Sequence, residues 1–555
     1  MTPMLVSVVC IAACSAAWAQ IEVGPTGVGP VDVEQIRKLM TDRLNLLLGA
    51  QHADGSWELT QPAALRDFKV GATALCVLAL EHCYPHLEKD LAVRTHEAIE
   101  KGVAYVNSSP FECRTYSAAL AISALYRHDP AAHRGKIATY ADMLCRSQSP
   151  SGRFAGMWGY VLLPAKNAPS SAVVTGTIPE WGDNSNTQMA ILGLYQAYRA
   201  GISIPQNLLR NTQQHYIKTQ NDDGGWGYKD DYSPLSYESM TVAGVITLNL
   251  TDELLHAPTS APCQPMPRDE AIEKGFKWLD GNLNYKFLDL YGLYTVERLG
   301  ILMGQRELHG KDWFTIGAGL LVGAKEWPVK LVQEKNSVAG TAFGLLFLSR
   351  GLEPVIMFKL KRKGSDWDNN HYAVKHLTEY ISDRFQKPRQ WRVVDLDAPQ
   401  NVLNSVPILH INGKLALNFN DQERLKLADY VTSGGTILAE SCVGATEFDA
   451  SFRELMKKLF PEGSLEPLPD DHVVFHTPRE LNRKLVVEVL KIGKGDDERC
   501  AVFYLPQGIC SSWHRWAATD QWAFDFGANL FFCVDKRWKK GTPAPQDKAP
   551  QEKKD

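Results

Sequence analysis

The sequence predicts two domains, an all-α domain of six helical hairpins arranged in a ring and then an α/β domain. Three observations support this prediction. A turn motif recurs, as QNDDGGWGY at Gln220–Tyr228, QHADGSW at Gln51–Trp57 and a looser copy at Gln148–Tyr160. Helical apolar periodicity comes in pairs between residues 31 and 350. After Gly351 the pattern changes to short apolar strands that alternate with helices.

The recurrent turn has a simple chemistry. Asp and Gly favour tight reversals, and Gly adopts the positive φ that such a reversal requires. The Gln before the turn and the Trp after it are expected to lie close enough to pack and to hydrogen-bond. A turn that recurs between helices is typical of a helical-hairpin repeat.

Within each helix pair the first member is amphipathic and charged, and the second consists mostly of small apolar residues. A helix that is apolar on all sides must be buried on all sides, whereas an amphipathic helix lies in an outer layer. The pattern therefore predicts two concentric rings that leave no exposed end if the ring closes. The predicted outer helices are Val33–Leu48, Val93–Val106, Arg134–Arg146, Gln206–Thr219, Glu270–Leu279 and Trp313–Lys325, and the inner ones are Val70–Cys83, Tyr116–Tyr126, Thr187–Tyr198, Tyr237–Leu250, Leu290–Leu302 and Gly340–Leu348.

These QxxDGxW turns and six hairpins resemble the α/α toroid of terpenoid cyclases and protein prenyltransferases, with its prenyltransferase/squalene-oxidase-type repeats. The resemblance covers residues 31–350 and implies an (α/α)6 toroid with a central cavity. The sixth unit is degenerate, because Lys325-Glu326-Trp327 stands where a full turn is expected.

The second domain is predicted over residues 365–537, after a linker at 351–364 whose basic stretch Lys359–Lys363 is interpreted as a solvated strip. Alternating strands and helices predict a layered sheet that is parallel in its first part. A tail at 538–555, rich in Pro, Lys, Asp and Gln, is predicted to be disordered. The strands are expected at Trp391–Leu396, Ile408–Ile411, Thr436–Ala439, Val473–Phe475, Leu485–Leu490 and Ala501–Leu505, and the helices at Tyr372–Phe385, Asp421–Thr432, Glu447–Leu459 and Gln521–Val534.

Several strings of this domain, GSDW at Gly364–Trp367, PILHIN at Pro407–Asn412, GGTILAE at Gly434–Glu440 and LPDDH at Leu468–His472, resemble a bacterial domain of unknown function. That family implies a flavodoxin-like fold similar to class I glutamine amidotransferases. It implies no particular reaction.

The N-terminus predicts export. Residues 1–19 carry no charged side chain and end in Ala17-Trp18-Ala19, as in a secretory signal. An alternative interpretation is a lipoprotein signal, in which Cys14 is lipidated. No later stretch is long and apolar enough for a membrane span, so the mature chain is expected in the periplasm or cell envelope. The net charge of −4, with no basic block before residue 359, argues against nucleic acid as a partner.

Cysteine usage predicts no metal site and no cofactor. The sequence has 11 cysteines, of which Cys10 and Cys14 lie in the predicted signal, and the remaining ones have irregular spacing without a zinc pattern. Cys500 and Cys510 are a candidate bridge across a hairpin.

The mouth of the predicted toroid is the first candidate site, because free N–H groups of the inner helices point to one end of the ring. Aromatic and amide side chains there suit a small molecule such as a glycan, or an isoprenoid-like ligand, while a protein partner in the envelope is the alternative. Asn, Ser and Thr at such places are also ordinary helix caps, and Trp in such turns is also a packing residue. The candidate ligand residues are Trp158, Tyr160, Trp181, Asn184, Asn186, Gln188, Trp226, Tyr228, Tyr232 and Tyr237.

Catalysis is the second question. Asp183 and Glu238 are the carboxylates that a divergent cyclase- or lyase-like reaction would use in the toroid. The DxDD acid motif of class II cyclases is absent from the sequence, and so is a zinc set placed as in prenyltransferases. A lone Asp183 also lacks neighbours that would keep it protonated.

Cys442 is the third catalytic candidate, since it follows a predicted strand at a strand-to-helix elbow, where amidotransferases place their nucleophile. His472 and His476 are the imidazoles predicted to activate it. A buried structural cysteine is the alternative interpretation. Taken together, the sequence predicts an exported bacterial protein with a ligand- or partner-binding toroid and a non-catalytic α/β domain. Toroid catalysis and Cys442-dependent hydrolase or amidotransferase chemistry are the alternatives.

Overall fold

The computed structural model describes residues 32–59, 68–166, 181–228, 235–266, 269–324, 326–327, 337–364 and 366–541. The chain forms two compact units, one of residues 1–256 and 268–353 (unit 1) and one of residues 257–267 and 354–555 (unit 2). Segment 257–267 was predicted as part of the toroid, but it groups with unit 2. The predicted signal with Cys14, and the tail beyond residue 541, lie outside the described residues.

Unit 1 is a closed double ring of helices. The helices of the inner ring contact one another in chain order, and the last of them, Val338–Gly351, contacts the first, Lys69–Cys83, so the inner ring closes. This agrees with the predicted alternation of outer and inner helices. The helices are α1 Val33–Gly49, α2 Lys69–Cys83, α3 Lys89–Ser108, α4 Thr115–His128, α5 Arg134–Arg146, α6 Asn184–Arg199, α7 Gln206–Lys218, α8 Glu238–His256, α9 Glu270–Asn282, α10 Leu290–Leu302, α11 Trp313–Gly323 and α12 Val338–Gly351.

The glutamine of each recurrent turn hydrogen-bonds one hairpin to the next. Gln220 Nε2 donates to the carbonyl of Gly224 in its own turn at 2.8 Å and to the carbonyl of Ala271 in outer helix α9 at 2.8 Å. Gly224 has φ +92°, and an added Cβ would lie 2.8 Å from the Lys274 carbonyl oxygen of α9. Only glycine therefore lets the turn lie against the neighbouring helix. The same two kinds of bond join Gln51 to Gly55 and Ala98, and Gln148 to Gly156 and Leu208.

The tryptophan of each turn joins the outer and inner rings. The Trp226 indole N–H donates to the Tyr216 carbonyl of α7 at 2.9 Å, and its backbone N–H donates to Thr241 Oγ1 of α8 at 3.1 Å. In the degenerate sixth unit the Trp327 indole N–H donates to the Leu321 carbonyl at 3.3 Å. Trp57 bonds Leu47 and Thr73 in the same way, and Trp158 bonds Leu144 and Thr187.

Unit 2 contains a seven-stranded sheet in the order β4-β3-β5-β6-β9-β8-β7. Strands β4, β3, β5, β6 and β9 are parallel, and β8 and β7 continue the sheet antiparallel. Apolar clusters cover both faces of this sheet. The strands are β3 Val355–Leu360, β4 Gln390–Val394, β5 Ile408–Gly413, β6 Thr436–Ser441, β7 Glu466–Pro467, β8 Glu488–Ile492 and β9 Arg499–Leu505, and unit 1 adds a hairpin of β1 Glu307–Leu308 and β2 Lys311–Asp312.

Two local predictions for unit 2 are wrong. The predicted linker contains strand β3. Lys359 of this strand is 1% exposed, and its Nζ donates to Asp368 Oδ1 at 2.7 Å. Val473–Phe475 forms a short 3-10 helix instead of a strand. The helices are α13 Ala373–Phe385, α14 Gln400–Leu403, α15 Asp421–Thr432, α16 Thr446–Leu459, α17 Cys510–Arg515 and α18 Gln521–Gly541.

The last helix, α18, continues past the predicted domain boundary at residue 537. Among the described helices of either unit, none combines the length and the apolar composition that crossing a membrane requires.

Candidate functional site

A chain of hydroxyl groups bridges the interior of unit 1. The Tyr116 hydroxyl hydrogen-bonds Ser185 Oγ, Ser185 Oγ donates to the Tyr291 hydroxyl at 3.0 Å, and the Tyr291 hydroxyl donates to Gln188 Oε1 at 2.8 Å. Ser185 and Gln188 lie on α6 and Tyr291 on α10, and α8 separates these two helices in the inner ring. The hydrogen-bonded chain therefore crosses the ring.

Tyr116 and Tyr291 were not among the predicted site residues. Each is the second residue of its inner helix, as Ser185 is of α6. The predicted mouth comprised the starts of α6 and α8 and left out the starts of α4 and α10. The helix predicted at Thr187–Tyr198 also began two residues after Ser185, so the shared second position was not apparent.

Predicted residues Tyr160, Trp181, Asn184 and Tyr228 lie together beside this chain. The hydroxyls of Tyr160 and Tyr228 are 2.8 Å apart, and the Tyr160 ring stacks on Trp181 with centroids 5.6 Å apart. The Asn184 backbone N–H donates to the Tyr228 carbonyl at 3.2 Å. All three aromatic side chains are half-buried, so they combine an apolar face with polar groups.

Three buried amide atoms near the start of α6 have no hydrogen-bond partner among the described residues. They are Asn184 Oδ1, Asn186 Oδ1 and Gln188 Nε2. The orientation of each amide is set by its other atom: Asn184 Nδ2 donates to the Gly227 carbonyl, Asn186 Nδ2 to Asp183, and Gln188 Oε1 accepts from Tyr291. A buried polar atom without a partner costs about 1–3 kcal/mol. A ligand that bonded these atoms would recover that free energy.

Asp183 is the N-cap of α6. Its Oδ1 accepts the Asn186 backbone N–H at 2.7 Å and its Oδ2 accepts Asn186 Nδ2 at 2.8 Å. The side chain is fully buried. This geometry supports a capping role for the carboxylate that was predicted as an acid. Glu238 is half-buried as the first residue of α8, and the Tyr237 backbone N–H donates to the Trp226 carbonyl at 3.2 Å.

Trp158 and Trp226, predicted as ligand residues, both lie in the packed interior of unit 1. Both are 0% exposed, and their indole N–H groups are bonded to carbonyls of outer helices. These bonds support a packing role for both rings. Tyr232 lies outside the described residues.

The tyrosine hydroxyls are neutral hydrogen-bonding groups. Burial raises the pKa of Tyr116 far above its ordinary value. Burial also raises the pKa of Tyr228 and of Tyr291 well above that value. A phenolate base is therefore not available here, and these groups act as donors and acceptors of hydrogen bonds.

A second polar cluster, absent from the sequence predictions, occupies the C-terminal halves of the inner helices. Arg350 Nε lies 3.1 Å from Glu297 Oε1, and His82 Nδ1 lies 2.9 Å from Glu353 Oε1. Burial raises the pKa of Glu297 to about 7 and lowers the pKa of His82 to about 3. Burial also raises the pKa of Glu81 well above its ordinary value, and neither of its carboxyl oxygens has a hydrogen-bond partner in the described part of the chain.

In unit 2, Cys442 follows β6 at the carboxyl edge of the parallel strands, as predicted. It forms a disulfide with Cys263 of segment 257–267, so the predicted nucleophile is not a free thiol. The candidate bridge between Cys500 and Cys510 is also wrong, since neither forms a disulfide in the described part of the chain.

A ring nitrogen of His410, on β5, lies within 4.8 Å of Cys510 Sγ. His410 Nε2 lies 2.9 Å from Glu440 Oε1, and both side chains are fully buried. Glu440 Oε2 accepts the backbone N–H groups of Ile509 at 2.6 Å and Cys510 at 2.8 Å. Burial raises the pKa of the Cys510 thiol well above its ordinary value.

The two imidazoles predicted to activate Cys442 contact other groups. His472 Nε2 lies 4.0 Å from Cys500 Sγ, and His476 Nδ1 lies 2.8 Å from Glu480 Oε1. The predicted assignment of His472 and His476 to Cys442 is therefore wrong.

Part of the chain is similar to a known protein family. Residues 357–532 match a family described as a domain of unknown function, DUF4159. No curated protein matches the chain. Among solved structures, the chain is similar to an inactive variant of the alpha-1,6-mannanase GH76A of Salegentibacter sp. HEL1_6 in complex with alpha-1,6-mannotriose. The TM-score is 0.33 at 8% identity, covering 57% of this chain and 98% of that one.

Proposed function

We propose that unit 1 binds a polyhydroxylated ligand of the glycan or polyol class at the start of its inner helices. The binding residues are Tyr116, Ser185, Gln188 and Tyr291, with Asn184 and Asn186 beside them; together they are the hydroxyl–amide site. The proposal rests on three buried amide atoms that have no hydrogen-bond partner among the described residues and that lie next to a continuous chain of hydroxyl groups.

The chemistry of the hydroxyl–amide site favours a polyol over an isoprenoid. Asn184 Oδ1 and Asn186 Oδ1 accept hydrogen bonds and Gln188 Nε2 donates them, and a sugar hydroxyl can do both. The half-buried Tyr160 and Trp181 rings offer an apolar face against which a sugar ring packs. An apolar chain would leave the amide atoms unpaired, at a cost of about 1–3 kcal/mol each.

Unit 2 is proposed as a non-catalytic interaction module with a flavodoxin-like, amidotransferase-like fold. Its parallel strands follow the order 2-1-3-4-5 when they are counted along the chain from β3, which is the order of flavodoxin-like sheets. The Cys263–Cys442 disulfide occupies the predicted nucleophile, which argues against thiol catalysis at Cys442. A disulfide is also typical of oxidising compartments, and this supports the proposed export to the periplasm or cell envelope.

Titration calorimetry of the full chain with neutral oligosaccharides tests the ligand proposal. Tyr291→Phe removes the hydroxyl that links Ser185 to Gln188, and Gln188→Ala removes the amide. We expect each to weaken binding by roughly 10-fold or more, which corresponds to about 1.4 kcal/mol per factor of ten. Tyr140→Phe on outer helix α5 is the matched control and should bind as the wild type does.

Two results would overturn the proposal. One is binding of polyprenyl lipids to the wild-type chain with no binding of any oligosaccharide. The other is an equal loss of affinity in Tyr291→Phe and in Tyr140→Phe, because the hydroxyl–amide site would then have no special role.

A further inference from the structure

Three cysteines from distant parts of the chain meet in unit 2. Cys263 comes from segment 257–267, Cys442 follows β6 and Cys510 begins α17. Their sulfur atoms lie within 4.8 Å of one another, and all three residues are buried. We refer to Cys263, Cys442 and Cys510 as the sulfur site. One cysteine of the site is a free thiol and the other two form the disulfide.

A single buried amide faces all three sulfur atoms. Asn370 Nδ2 lies 3.2 Å from Cys263 Sγ, 3.6 Å from Cys442 Sγ and 3.0 Å from Cys510 Sγ. Its Oδ1 accepts the Cys263 backbone N–H at 3.0 Å, which fixes the orientation of the amide. Neutral thiols and disulfides are weak acceptors, whereas a thiolate accepts a strong, charge-assisted hydrogen bond. The amide is therefore placed to stabilise sulfurs that carry negative charge.

A nitrogen ligand is available next to the sulfur site. His410, Glu440 and Cys510 also bring their ligand atoms within 4.8 Å of one another. His410 Nε2 pairs with Glu440, and its Nδ1 is buried without a hydrogen-bond partner among the described residues. A histidine that binds a metal through one ring nitrogen usually donates the other N–H to a carboxylate or a carbonyl. In the His410–Glu440 pair the carboxylate holds Nε2, which leaves Nδ1 as the nitrogen that a cation would use.

We propose that the reduced protein binds one zinc-type divalent cation through Cys263, Cys442 and Cys510, with His410 as the fourth ligand and Glu440 supporting it. Three thiolates and one imidazole are a common ligand set of closed, structural zinc sites. The metal and the disulfide exclude each other, since the disulfide removes two of the three sulfur ligands.

The disulfide form is converted to the metal-bound form by reduction followed by cation binding. A dithiol reductant gives two electrons and two protons to the Cys263–Cys442 bond and leaves as its own disulfide. Cation binding then releases one proton from each of the three thiols. Cys263 holds segment 257–267 to the site in both states, first as a disulfide partner and then as a ligand. An oxidising compartment favours the disulfide, and a reducing one favours the metal.

Metal analysis of the full chain tests this proposal. The protein is reduced without oxygen by an excess of dithiothreitol, loaded with Zn²⁺, desalted and analysed by elemental mass spectrometry. We expect about one zinc per chain in the reduced protein and only background in the oxidised protein. The zinc content of the Cys510→Ser variant should fall to background. Cys500→Ser changes a cysteine of the same unit that also lies near an imidazole but outside the sulfur site, and this variant should keep its zinc.

A second measurement does not depend on the folding of any variant. Co²⁺ added to the reduced wild-type chain should give the intense visible bands of a tetrahedral thiolate site, and oxidation should abolish them. Glu440→Gln should weaken zinc binding roughly 10- to 100-fold at unchanged stoichiometry, as loss of a supporting carboxylate does elsewhere. The proposal is overturned if the reduced wild type shows neither bound zinc nor these cobalt bands. It is also overturned if the oxidised chain binds as much zinc as the reduced chain.

Discussion

The glutamine of the recurrent turn gives a quantitative test of how unit 1 is held together. Gln220→Ala removes two hydrogen bonds of 2.8 Å, one within the turn and one to the next outer helix. At about 0.5–1.5 kcal/mol net for each bond, the free energy of unfolding should fall by about 1–3 kcal/mol. Gln214→Ala changes an exposed residue of α7, the helix that precedes the turn, and should change the free energy of unfolding by less than about 0.5 kcal/mol.

Gln220→Glu adds a test of mechanism. The carboxylate would face the two carbonyl oxygens that the amide now bonds, so at neutral pH this variant should be less stable than Gln220→Ala. Lowering the pH should bring the free energies of unfolding of these two variants closer together, because the protonated Glu can donate one hydrogen bond. Urea unfolding of the full chain, followed by helical circular dichroism, measures these free energies. The reasoning is refuted if Gln220→Ala and Gln214→Ala have the same midpoint, or if Glu at position 220 is tolerated better than Ala.

Three further predictions follow from the same structure. Gly224→Ala places a Cβ at positive φ and 2.8 Å from a backbone oxygen, so it should lower the unfolding midpoint more than Gly281→Ala, where an added Cβ meets nothing within 4 Å. Glu81→Gln should be more stable than the wild type at pH 8 and similar to it near pH 4. The reason is that the pKa of Glu81 is higher in the folded state than its value of 4.5 in the unfolded state, so the wild type loses stability as the pH rises above 4.5. Equal pH profiles of urea unfolding for the two proteins would contradict this. Replacing both Cys263 and Cys442 by Ala should lower the free energy of unfolding by at most about 5 kcal/mol, given the separation of 179 residues. Dithiothreitol with a chelator should then cause no further loss of stability in this variant.

Much of unit 1 could be predicted because its signals are local. The outer helix Gln206–Lys218 buries one face and the inner helix Lys69–Cys83 is buried almost throughout, and each follows from apolar spacing within about four turns of helix. The turn chemistry is local as well, since the Gln, Gly and Trp of each turn lie within a few residues of one another. Element boundaries differ from the predicted ones by a few residues at most helix ends.

The site residues were harder to predict because their partners are distant in sequence. Asn184 and Gln188 were expected at a mouth, but Tyr116 and Tyr291 complete the hydroxyl chain only because the ring brings α4 and α10 to α6. Lys359 was predicted in a solvated linker, because nothing near it in the sequence indicated that it is buried and paired with the half-buried Asp368.

The sequence by itself determined the paired helices, the turns that join them and the change to an α/β pattern, since these depend on contacts between near neighbours. Tertiary structure alone decided which side chains meet. Cys263 and Cys442 are 179 residues apart, and the sheet and segment 257–267 bring them to Cys510, which in turn lies beside His410. No spacing rule finds such a site, because its geometry is set by packing across the fold and not by distance along the chain.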